Sequence, residues 1–215
     1  MQLTEILLAR TVWVLDIKLL NPSGLALGPI HSSLKEKYKF LVYPSTPAEF
    51  DLVKGTRYQS GEFTFEGNQI GVDFTVYNNG WCVDTLVSTE ASDAFLSDLV
   101  GWLSSSFGFR AAANAVTRIG YESHLAFSSE INLTKLFDKL GAFSTLLRQF
   151  SGNPTEEVSA FVFGSDFASP NSTFPTFTFE RRVSVPFSEN KYFSKAVLQT
   201  KKHIQLLDNF EQMFG

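Results

Sequence analysis

The chain has 215 residues, 44% hydrophobic and 19% charged, a balance that places it among folded globular proteins and excludes a disordered one. A formal net charge of −4 argues against a protein that coats nucleic acid non-specifically, which needs a surplus of Lys and Arg. A single cysteine, Cys82, leaves no intrachain disulfide and no thiolate metal site, and predicts a reducing, cytoplasmic setting.

The first twenty residues are apolar in places but interrupted by Glu5, Arg10, Asp16 and Lys18, so they read as neither a signal peptide nor a membrane span. A soluble protein is expected. Val12 to Leu20 reads as a strand with Trp13, Leu15, Ile17 and Leu19 on one face. Asn21-Pro22-Ser23-Gly24 breaks it, Ile30 to Lys39 reads as a helix, and Phe40 to Tyr43 as extended chain.

Between Gly61 and Val87 apolar residues alternate in three runs: Phe63 and Phe65; Ile70, Val72, Phe74 and Val76; then Trp81, Val83, Thr85 and Val87. Gly67-Asn68 and Asn78-Asn79-Gly80 stand at the joints, where residues tolerant of positive φ make hairpin turns. The pattern predicts a three-stranded antiparallel meander.

The period then changes. Phe95, Leu96, Leu99, Val100, Trp102, Leu103 and Phe107 are spaced by threes and fours, a helix capped by Thr89 or Ser92 and ended by Gly108. Thr117 to Ser128 returns to a period of two. A second helix starts at an Asn132 cap, with a stripe of Leu133, Leu136, Phe137, Leu140, Phe143, Leu147 and Phe150. Val158 to Phe163 is a short strand, Phe174 to Phe187 a long one, and Ala196 to Phe214 a last helix. No internal repeat or long linker stands out. The expected fold is one α+β domain over residues 1–215: an antiparallel or mixed sheet containing the meander, with three to four helices packed on it.

Function is less legible. Phenylalanine supplies 22 residues, whereas there are three histidines and one cysteine, so the chain is rich in packing material and poor in catalytic groups. No phosphate-binding loop, dinucleotide turn, nucleophile elbow or zinc-helix motif is present. No cofactor and no metal site are expected, since His31, His124 and His203 lie in separate elements without ligand spacing. Cys82, with no base beside it in sequence, reads as a small buried hydrophobe.

Four groups of residues remain as candidates. Arg118, Glu122 and His124 share the polar face of one strand, where a Glu and a His can act as base and orienter, or form a solvated sheet face. Arg181 falls in phase with Phe177, Phe179, Val183 and Val185, so its guanidinium needs a buried carboxylate or carbonyl partner, or an anionic ligand. Lys195, Lys201, Lys202 and His203 form a basic cluster on the last helix, able to meet a phosphate backbone or to sit in solvent. Phe167 and Phe214, with Phe50 and Phe109, lie in loops or near chain ends, where exposed aromatics mark contact surfaces.

The leading reading is an accessory subunit that binds a protein partner or its own copies and has no catalysis of its own. The alternatives are a binding or enzymatic domain for an anionic, nucleotide-like ligand, and nucleic-acid contact through the last helix.

Overall fold

The computed structural model describes residues 1–22, 27–110, 115–133, 138–152, 157–164 and 177–213. Among these the fold is α+β: β1 Gln2–Leu15, α1 Ile17–Leu20, α2 Leu27–Tyr38, β2 Thr56–Phe65, β3 Asn68–Tyr77, β4 Gly80–Thr85, α3 Thr89–Phe107, β5 Val116–Ser128, α4 Asp138–Ser151, β6 Ala160–Phe163, β7 Phe177–Arg181, β8 Lys191–Ala196 and α5 Thr200–Gln212. The eight strands hydrogen-bond in the order β2-β3-β4-β1-β5-β8-β7-β6. No described helix is long and apolar enough to cross a membrane. The chain divides into two compact units, Leu8–Ser123 and Met1–Leu7 with His124–Gly215.

In the Leu8–Ser123 unit, β2, β3 and β4 pair successively and antiparallel, and β4 pairs with β1. Ala9, Thr11, Trp13 and Leu15 alternate into the core, as a strand's period of two requires. The strand starts earlier and ends earlier than the apolar run Val12 to Leu20 suggested. Asp16 stops it: its side chain accepts from the Lys18 amide and caps the single turn α1, which turns Leu20 into the core. Helix α3 is capped by Ser88, whose hydroxyl accepts from the Ala91 amide, rather than by Thr89 or Ser92, and Gly108 closes it at φ 70°. Phe95, Leu96, Leu99 and Leu103 of this helix meet Tyr38, Phe40, Tyr58, Phe74 and Trp81 in an aromatic core.

In the other unit, β6 pairs with β7 and β7 with β8, all antiparallel. Its core holds Leu125, Phe127, Phe177, Phe179, Tyr192 and Leu207, with Phe161 and Phe210 packed against them. The expected long strand to Phe187 ends at Arg181; a turn through Phe187–Glu189 follows, and β8 occupies residues that read as the approach to a helix.

In chain order the described elements run twice through one sequence, a strand, a helix, three successively paired strands and a helix: β1, α2, β2 to β4 and α3, then β5, α4, β6 to β8 and α5, with α1 as an extra turn in the first. The register repeats as well. Tyr58 pairs with Phe74 and Phe74 with Val83; Phe161 pairs with Phe179 and Phe179 with Ser194. Three residues separate Thr85 from Thr89 and Ala196 from Thr200, and the helices then bury equivalent positions, Ser92 and Leu96 in α3 against His203 and Leu207 in α5. The scaffold is therefore duplicated, although the sequence shows no repeat to direct reading.

Candidate interaction surface

Arg181 is 5% exposed, on the buried side that the alternation indicates. Its Nη1 donates to the Phe187 carbonyl at 2.8 Å and its Nη2 to Asn132 Oδ1 at 2.8 Å, with the Glu157 carboxylate 3.8 Å away. The guanidinium carbon lies 4.4 Å from the Phe187 ring centre and 5.5 Å from that of Tyr192. These contacts tie the Phe187–Glu189 turn and the Asn132 segment to the end of β7, a bracing role. Arg182 is half-buried and lies 3.5 Å from Glu5.

The strand β5 separates its three candidates. Arg118 is exposed in the Leu8–Ser123 unit. Glu122, in the same unit, lies 3.5 Å from Arg10, which makes a bidentate pair with Asp84 at 2.7 Å. Glu122 thus joins a cluster on neighbouring strands, of the kind a polar sheet face builds. His124 belongs to the other unit and stands edge-on to Phe193 at 5.6 Å. Beside Asp84, Cys82 is half-buried, and burial pushes its thiol up to about 12, far from a reactive thiolate.

The basic cluster loses a member and changes shape. Helix α5 starts at Thr200, so Lys195 lies on β8, while Lys201 and Lys202 are exposed in the helix's first turn. His203 is fully buried, with its Nε2 2.9 Å from Ser194 Oγ, and does not face solvent with the lysines. Burial, with His124 adding a smaller push, lowers its pKa to about 4 and keeps it neutral at pH 7.

The aromatic candidates divide too. Phe167 and Phe214 lie outside the described residues. Phe109 is buried in the core, and Phe50 packs on the His31 ring at 4.2 Å.

A different apolar surface takes their place. In α4, residues Phe143, Leu146, Leu147 and Phe150 recur at spacings of three and four, so they form one stripe along the helix. They are 59%, 48%, 41% and 83% exposed, and among residues 141–151 Ser144 is the one buried. The sequence showed this periodicity, but a stripe that faces a core and one that faces outward have the same period. The stripe also reads alike in both directions, Phe-x-x-Leu-Leu-x-x-Phe.

Among the described residues no group of three or more His, Cys, Asp or Glu could hold a metal ion. The chain matches no family model, and no curated protein matches it at the significance required.

Proposed function

We propose that the protein is an interaction subunit, and that the partner of its α4 face is a second copy of the same chain. The exposed stripe Phe143–Leu146–Leu147–Phe150 carries this reading. Four large apolar groups in a row on one helix face are costly to leave in water and are enriched where proteins meet. The mirror order of the stripe favours a like partner. A two-fold axis passing between Leu146 and Leu147 sets Phe143 of one copy against Phe150 of the other, so one patch complements itself, as a closed dimer requires. A lone helix pair buries less than the ~1,600 Å² of a standard interface, so a micromolar, exchanging dimer is expected.

Sedimentation equilibrium between 1 and 200 μM tests this. The wild-type chain should pass from monomer to dimer. Phe143→Ser with Phe150→Ser should remain monomeric at an unchanged melting temperature, because both side chains are exposed. At about 1.5–3 kcal/mol for each buried Phe, and each lost twice per dimer, one substitution should weaken association by ~100-fold or more. A wild-type chain that stays monomeric throughout, or a double variant that dimerises as before, rejects a second copy as the partner.

A further inference from the structure

The Leu8–Ser123 unit contains a cavity of about 230 Å³ between α2, the strands β2 to β4, and α3. Leu34, Tyr58, Phe74, Trp81 and Leu99 supply much of its wall, and no Lys, Arg, Asp or Glu lines it. Exposed Ile17 and Asn78 stand where it reaches solvent. Besides the polar groups of Tyr77, Asn78 and Trp81, two buried polar atoms belong to residues of this wall. Tyr58 is 1% exposed, and its buried hydroxyl has no hydrogen-bond partner among the described residues; the buried Nδ1 of His31 has none either. Their rings stack at 5.7 Å, which groups the two residues on one part of the wall. Buried hydroxyls and ring nitrogens are almost always satisfied, so two together in one cavity call for an occupant.

The duplicated scaffold supplies an internal control. Leu99 follows Thr89 by ten residues, and Phe210 follows Thr200 by ten, so they hold equivalent places in α3 and α5. Phe210 lies 5.6 Å from Phe161 and 5.3 Å from Phe179, the counterparts of Tyr58 and Phe74. One unit thus fills with a phenyl ring the place where the other carries Leu99. At the position of Tyr58 it carries Phe161, without a hydroxyl. The scaffold forms with a larger side chain at the place of Leu99 and with no hydroxyl at the place of Tyr58, so neither Leu99 nor the Tyr58 hydroxyl is a requirement of the fold.

We propose that this cavity is a binding site for a small, neutral, mainly apolar molecule with one hydrogen-bonding group, which meets Tyr58 Oη and His31 Nδ1. Size, polarity and charge each restrict the ligand. A 150 Å³ apolar cavity holds benzene, so about 230 Å³ suits one ring with a short chain. Water alone fills such a lining poorly, because each molecule needs two to four polar partners and most of the wall is apolar. Burial lowers the His31 pKa to about 4, so the imidazole is neutral at pH 7 and attracts no anion.

The test uses the full-length chain and three probes of one shape: 4-propylphenol, propylbenzene and 4-propylbenzoate. Trp81, in the wall, reports binding through its fluorescence. The wild type should bind propylphenol saturably with one site per chain, propylbenzene more weakly, and propylbenzoate not at all. Tyr58→Phe should weaken propylphenol about tenfold and leave propylbenzene unchanged, since it removes the hydroxyl alone. Leu99→Phe, which copies the filled core of the other unit, should abolish binding of both while the melting temperature holds or rises. Amide and methyl shifts of the wild type on adding propylphenol should centre on Leu34, Leu99 and Leu103, which decides the matter even if the Leu99 variant misfolds. Absence of saturable propylphenol binding to the wild type, equal binding by a folded Leu99→Phe chain, or shifts centred elsewhere overturns the proposal.

Discussion

At the scale of single residues, two glycines in neighbouring strands show how backbone spacing selects side chains. A methyl group on Gly80 would stand 2.6 Å from the Trp13 carbonyl oxygen, which belongs to the paired strand β1 and cannot swing aside as a side chain can. A methyl on Gly71, one strand over, meets nothing within 4 Å. Gly80→Ala should therefore cost about 1–3 kcal/mol in urea unfolding, as overpacking does, and Gly71→Ala should cost less than about 0.5 kcal/mol. His203 makes a second residue-level case. Its folded pKa, near 4, lies below the ordinary value of 6.5, so the unfolded chain binds the proton more tightly. Its contribution is full above about pH 6.5 and is lost as the pH falls toward 4, to the extent of about 2–3 kcal/mol. The wild type should lose stability over that interval, and His203→Gln should show a flatter profile. An equal slope in the two proteins would mean that another group governs the loss.

At the scale of elements, legibility followed how far local chemistry and tertiary role agree. Helix α3 was readable because period, glycine stop and burial all coincide; Phe95, at its centre, is fully buried against Tyr38, Phe63 and Phe74. Phe95→Ala should cost about 3–5 kcal/mol by chemical denaturation, and a loss under 1 kcal/mol would take this helix out of the core. Strand β8 was not readable. Its inward positions are Tyr192, Ser194 and Ala196, and Ser194 is tolerated there because its hydroxyl donates to the Thr178 carbonyl and pairs with His203 across to α5. A serine buried by a partner nine residues away carries no local mark. The stripe of α4 was visible and its direction was not. The candidate site suffered in the same way: Arg181 was placed on its correct face by alternation, but Asn132 and the Phe187 carbonyl, which hold it, are brought to it by the fold alone.

At the scale of the whole molecule, the two units show why duplication escaped a direct reading. Equivalent positions pair Trp81 with Tyr192, Val83 with Ser194, Thr85 with Ala196 and Ser92 with His203. Each pair preserves burial and exchanges the chemistry that fills it, so register is retained while letter-by-letter similarity is lost. Symmetry of this kind lies in the backbone pairing and is invisible to composition or motif. The void beside Leu99 has a consequence for the protein's lifetime in a cell. Leaving about 230 Å³ without an apolar occupant costs the fold the packing contacts that its walls would otherwise make. A molecule lodged there returns part of that cost, and the return grows with its concentration. If the proposed ligand binds there, a chain deprived of it would unfold more often and be degraded sooner, and its abundance would follow the supply of that molecule.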